Sequence, residues 1–119
     1  ADATGWADRT DFVRAAATAR RRILVDHARA SNAAKRGGGK RVELPDVSAP
    51  LPDEQVLALD EALTKLAATK PEHARLLELR YFAGLTGDEA AAAVAVSPAT
   101  ADRMARYATA WLRVELASG

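Results

Sequence analysis

Two helix-start signals lie within one short stretch near the C-terminal end of this 119-residue chain. Thr86 is followed three positions later by Glu89, the spacing at which the two side chains satisfy each other's free backbone N–H groups at a helix entrance. Ser97-Pro98 is the second signal, with serine as the cap and proline at the first helical position, where its missing N–H is not needed. These starts leave room for a helix over 87–94, a turn Ala95-Val96-Ser97 and a second helix over 98–116. The small Ala91 suits the place where the two helices must touch. Val96 plugs the turn into a core, and Val94 and Ala101 pack across the joint. The unit reads as a helix-turn-helix, and its spacing alone also fits a plain hairpin inside an α-bundle.

The remainder of the chain keeps to helical periods. Its 49% hydrophobic content is mostly alanine and leucine with 5% aromatics, a mixture that favours helix but makes thin cores, because alanine buries little area. A first long helix is predicted from about Asp8 to Lys35, with an apolar stripe at Phe12, Val13, Ala16, Ala19, Ile23, Leu24, His27 and Ala28. Gly37-Gly38-Gly39 ends it, and residues 37–52, with Pro45, Pro50 and Pro52, read as a flexible linker. Asp53 and Glu54 open a helix to about Ala68, their charge favoured by the helix dipole. Pro71 opens the next, which Gly84 closes. The fold class is therefore all-α: a long N-terminal helix (1–36), a linker (37–52) and a compact helical domain (53–119) ending in the helix-turn-helix. The N-terminal stripe has no obvious partner within the chain, so this helix is expected to dock on another protein or to self-associate.

Charge and residue types narrow the function classes. There is no cysteine, so no disulfide framework or thiolate metal site, and His27 and His73 are too isolated for a conventional zinc site. No run of about 18 apolar residues occurs, which argues against a membrane span. Ala1–Gly5 does not resemble a signal peptide, and a cytoplasmic location is expected. His27 beside Asp26 does not make an acid–base pair, because adjacent helical residues do not face each other. Gly37-Gly38-Gly39-Lys40 lacks the upstream glycine and the following Ser/Thr of a phosphate loop. Neither an enzyme nor a cofactor is indicated. The net charge of +1 hides an asymmetry: residues 1–41 carry ten Lys/Arg against four acids, and residues 42–119 carry seven against twelve. The basic half offers a candidate nucleic-acid face at Arg21, Arg22, Arg29, Lys35 and Arg36. Trp6 and Phe12, which could stack on bases, read rather as core contacts.

The second helix of the C-terminal unit would project its start into a major groove. The outward residues there are Ser97, Ala99, Thr100, Asp102, Arg103 and Arg106, with the two arginines able to share a face. Ala95 stands where such turns usually carry glycine, and a left-handed alanine costs on the order of 1 kcal/mol.

Leu76-Leu77-Glu78-Leu79-Arg80-Tyr81-Phe82-Ala83-Gly84-Leu85-Thr86, followed by Asp88-Glu89-Ala90-Ala91, resembles region 4 of extracytoplasmic-function (ECF) sigma factors of the sigma-70 family. So do Val96-Ser97-Pro98-Ala99-Thr100, Arg103, Arg106-Tyr107-Ala108 and Ala110-Trp111-Leu112-Arg113. Arg21-Arg22-Ile23-Leu24-Val25-Asp26-His27-Ala28-Arg29 and Lys35-Arg36-Gly37-Gly38-Gly39 are similar to the end of region 2 and the interdomain linker in one subgroup. At the N-terminal end the likeness covers only the last long helix of region 2. The chain departs from the family pattern at Ala95, and at Ala101, Asp102 and Ala105, where valine, a basic residue and tryptophan are typical.

The resemblance implies a transcription initiation protein that binds core RNA polymerase and promoter DNA. Its C-terminal unit would read the −35 element, its N-terminal helix would meet the −10 element, and an anti-sigma factor is a further possible partner. Two other readings fit the same residues. One is an interaction module that binds polymerase or an anti-sigma partner without reading DNA. The other is a helix-turn-helix repressor that dimerises through the N-terminal helix.

Overall fold

A computed structural model of the chain describes the backbone of residues 2–32 and 43–118 and the side chains of residues 9–31 and 43–118. Among the described residues five helices follow in order: α1 (Asp2–Asn32), α2 (Asp53–Thr69), α3 (Pro71–Phe82), α4 (Gly87–Ala93) and α5 (Pro98–Ala117). No strand occurs among the described residues, and the fold is all-α. α1 begins six residues ahead of the predicted Asp8. The other starts fall where the punctuating residues put them: acids in the first turn of α2, Pro71 in the first turn of α3, Thr86 and Ser97 at the caps of α4 and α5.

Leucines of α2, α3 and α5 make the main core. Leu59, Leu63 and Leu66 from α2 meet Leu77 and Phe82 from α3 and Ala108, Leu112 and Leu116 from α5. Leu59, Leu63, Leu66 and Leu112 are fully buried, and each such side chain stabilises the fold by about 1.5–3 kcal/mol through lost water contact. Trp111 is half-buried against this cluster. A second, alanine-rich cluster joins Leu76 and Leu79 of α3 to Ala90, Ala91 and Ala93 of α4 and Ala101 of α5. The small side chains let these backbones approach closely, which sets α4 and α5 against α3.

The N-terminal helix does not wait for an outside partner. α1 supplies Ala17 to the alanine-rich cluster, while Val25 and Ala28 bury with Val56 of α2. Its inner stripe is Val13, Ala17, Leu24, Val25 and Ala28, turned from the predicted one, so that Phe12 and Ile23 face solvent at 72% and 66% exposure. Arg21 lies at the centre of that inner face. Its Nε donates to Oδ1 of Asp60 at 2.7 Å and its Nη1 to Oε2 of Glu78 at 3.0 Å. Its Nη2 donates to the carbonyl of Asp60 at 2.9 Å and to Oγ1 of Thr64 at 3.0 Å. A planar guanidinium with five donors can tie two helices at once in this way.

The described part of the linker, residues 43–52, is also held. Leu44 and Leu51 pack on the main core, and Tyr81 of α3 donates its hydroxyl to the carbonyl of Pro45 at 2.5 Å. Asp46 and Ser48 close a turn through two hydrogen bonds at 2.9 and 2.8 Å. Burial, helped by the charge of Asp46, pushes the Tyr81 phenol up to about 12.

Candidate nucleic-acid interface

The α4–turn–α5 unit is fixed at three points by hydrogen bonds that its sequence encodes. At the entrance of α4, Thr86 Oγ1 accepts from the Glu89 N–H at 3.1 Å, and the Glu89 carboxylate accepts from the Thr86 N–H at 2.9 Å. At its exit, the Ala95 N–H reaches the carbonyl of Ala92 at 3.1 Å and the Val96 N–H that of Ala91 at 3.0 Å. That pair of bonds requires a left-handed residue, and Ala95 takes it with φ of 63° despite its Cβ. At the start of α5, Ser97 Oγ accepts from the Thr100 N–H at 3.1 Å. Val94, Val96 and Met104 then pack, half-buried, on the alanine-rich cluster and lock the turn to α3. Arg80 of α3 adds a tether ahead of α4, donating from Nε to the carbonyl of Leu85 at 3.0 Å.

Locked in this way, α5 buries Ala101, Ala108, Leu112 and Leu116. Its opposite side is left open. Ser97, Ala99, Asp102, Arg103 and Arg106 are exposed and Thr100 is half-exposed, so the six predicted residues lie together at the start of one helix. Five of them are joined by side-chain hydrogen bonds. Arg103 donates from Nη2 to Oγ1 of Thr100 at 3.1 Å, and that hydroxyl is itself 3.1 Å from Ser97 Oγ. Arg106 donates from Nη2 to Oδ2 of Asp102 at 2.6 Å. Each arginine is therefore held by an acceptor nearer the start of the helix, the direction in which helical side chains lean.

Sequence reasoning passed over Arg113. It is exposed two turns beyond Arg106 on the same side of α5, and the seven-residue interval was the available signal. Further round α5, the half-exposed Tyr107 carries the Lys70 ammonium 5.1 Å above its ring and His73 edge-on at 5.5 Å. Burial, then the Lys70 charge, holds the His73 imidazole below its ordinary value.

The second candidate set is divided. Arg22 and Arg29 are exposed on α1. Arg21 is turned inward with its side chain 18% exposed, its charge matched by Asp60 and Glu78. Lys35 and Arg36 lie outside the described residues, as does the side chain of Trp6. Among the described residues α1 packs on α2, α3 and α4 and makes no close backbone approach to α5. No described helix is long and apolar enough to cross a membrane.

A family model described as ECF sigma factor matches residues 1–118. No curated protein and no solved structure matches the chain.

Proposed function

Because the chain belongs to the ECF sigma factor family, a family of transcription initiation factors, we propose that it engages core RNA polymerase and reads promoter DNA, at the −35 element, through α5. The α4–turn–α5 unit is then a helix-turn-helix, with α4 across the phosphate backbone and the start of α5 in the major groove. The observation that carries this reading is the open face of α5, where Arg103 and Arg106 project beside Ser97, Ala99, Thr100 and Asp102. Arginine reads guanine through O6 and N7, the commonest specific base contact. Ser97 and Thr100 add hydrogen bonds to phosphate at the helix entrance, where the dipole also favours an anion. Arg22 and Arg29 of α1 form the second nucleic-acid contact, toward the −10 element. Arg113 adds a phosphate contact farther along α5.

The units act as sequence reading divided them: α1 as a late region-2 helix, residues 37–52 as the connection, and residues 53–119 as the region-4 domain. Core polymerase supplies the protein partner, with an anti-sigma factor as the competing one, and the chain works in the cytoplasm. Self-association is the alternative favoured by one observation, the exposed Phe12 and Ile23 on α1.

The test has two arms. The 119-residue chain is incubated with labelled duplexes from a randomised pool and, separately, with purified core polymerase. Recovery of an enriched motif together with co-elution with core supports the proposal. Co-elution without any enriched motif supports the interaction module. A palindromic motif bound by a dimer supports the repressor.

A further inference from the structure

Asp102 is out of place on a surface built to meet DNA. Phosphates repel it, and its pair with Arg106 does little for the fold: both side chains are mostly exposed, at 59% and 78%. Exposed pairs one helical turn apart add little to stability. Some other property of this pair therefore has to explain it.

The geometry of the bond shows what the pair can do. Asp102 holds one terminal nitrogen of Arg106 at 2.6 Å, which fixes the side chain and leaves other N–H donors of the guanidinium free. Two such donors suffice for O6 and N7 of a guanine. Arg103 is steadied in the same manner by Thr100, but there the acceptor is a neutral hydroxyl and carries no electrostatic cost. An ionised carboxylate, by contrast, only accepts hydrogen bonds. In a major groove its base-edge partners are the exocyclic amino groups of cytosine and adenine, while guanine O6, thymine O4 and phosphate oxygens are unfavourable neighbours.

We infer that Asp102 is a specificity-determining residue of α5. It positions Arg106 on a guanine and requires an amino-bearing base, cytosine or adenine, at the adjoining step. This rests on the reading that α5 enters the major groove. Affinity and discrimination then run in opposite directions at this position. The carboxylate weakens binding to DNA of every sequence, and it weakens binding to sequences with the wrong neighbour much more. Thr100 positions Arg103 without that trade.

The experiment compares wild type, Asp102→Ala, Thr100→Val and Arg106→Ala, each as the full chain. Each protein selects from one randomised duplex pool, and anisotropy is then measured on the recovered duplex and its single-base variants. For wild type, replacing the guanine read by Arg106, or the amino-bearing base beside it, weakens binding about tenfold, the scale of one bidentate arginine contact. In Asp102→Ala both preferences fall to the level of Arg106→Ala, while binding to random-sequence duplex becomes tighter and the preference owed to Arg103 stays. Thr100→Val does the reverse, loosening only the Arg103 position. The inference is overturned if Asp102→Ala tightens binding by one common factor and leaves the selected motif unchanged, because the pair is then only a surface contact. If wild type enriches no motif at all, the reading of α5 as a DNA-contacting helix fails first and takes the inference with it.

Discussion

Arg21 Nη1 on α1 and Glu78 Oε2 on α3 lie 3.0 Å apart, and Glu78 is the one buried charged residue among those described, at 7% exposure. The same guanidinium meets Asp60 of α2 at 2.7 Å. Removing Arg21 strands the Glu78 carboxylate in a site with little water. Breaking a buried pair from one side costs about 3–5 kcal/mol, and the partial exposure of Arg21 and Asp60 lowers that to about 2–4 kcal/mol for Arg21→Ala. Arg21→Lys keeps the charge, loses the fork and falls between. Urea unfolding monitored by circular dichroism measures both. Hydrogen exchange in Arg21→Ala should show α1 amides opening well before those of α2. A stability change under about 0.5 kcal/mol, the usual size for a plain surface substitution, would show that α1 is not held by this residue.

The caps of α4 and α5 make a second prediction. Thr86→Ala removes half of a reciprocal pair and Ser97→Ala removes a single cap, each at about 0.5–2 kcal/mol. Ala95→Gly works in the opposite direction. Its left-handed φ of 63° strains an alanine by about 1–2 kcal/mol, part of which is offset by the greater freedom of glycine in the unfolded chain. A gain of about 0.5–1 kcal/mol is expected. Thermal melts of the three variants should split in sign, and a lower melting temperature for Ala95→Gly would be incompatible with the turn described.

How much of this was legible depends on the kind of residue. Thr86, Glu89, Ser97 and Pro98 act on backbone groups within three positions of themselves, so their meaning is local and the bounds of the α4–turn–α5 unit are legible to within a residue. Even the strain at Ala95 was visible, because the turn geometry follows from its length. The inner face of α1 was not. Alanines lie on both sides of it, Ala17 and Ala28 inside, Ala16 and Ala19 outside, and so small a side chain fixes the phase of a stripe weakly. The residue at the centre of that face is an arginine, whose partners stand 39 and 57 positions away. No local rule turns a basic residue inward, and the exposed Phe12 and Ile23 drew the predicted stripe toward themselves. The hydrogen bond from Tyr81 to Pro45 is likewise long-range, and the proline- and glycine-rich composition around it signalled only a linker.

Two of the shifted groups, Tyr81 and His73, give pH dependence that single substitutions can test. Tyr81 titrates at about 12 in the folded chain, against an ordinary value of 10.0. Its phenol is raised, so the stability it brings is complete below pH 10 and is lost as pH climbs from 10 toward 12. Tyr81→Phe removes the bond to Pro45, lowers stability at pH 7 by about 0.5–1.5 kcal/mol and flattens the alkaline loss. The His73 imidazole is held below its ordinary 6.5, so the unfolded chain takes up its proton first and stability declines as pH falls through 6.5 and below. His73→Gln should remove that decline between neutral and mildly acidic pH. Denaturation midpoints across the range check both, and an unchanged alkaline limb in Tyr81→Phe would contradict the burial of the phenol.

Asp102→Lys replaces a repelled charge by an attracted one. It should tighten binding to duplexes of every sequence and steepen the dependence of log K on log salt by about one to two ion equivalents. Competition between specific and random duplex should at the same time show poorer discrimination. Unchanged binding at two salt concentrations would mean that this side of α5 does not approach phosphates.

The most direct test of the central claim is anisotropy of Arg103→Ala on the duplex that wild type selects. If the open face of α5 reads DNA, losing the arginine held by Thr100 weakens binding about tenfold or more and relaxes preference at one base position, as expected for a contact of about 1–3 kcal/mol. Equal affinity for wild type and variant at low and at moderate salt would contradict the account and leave the chain a protein-binding module.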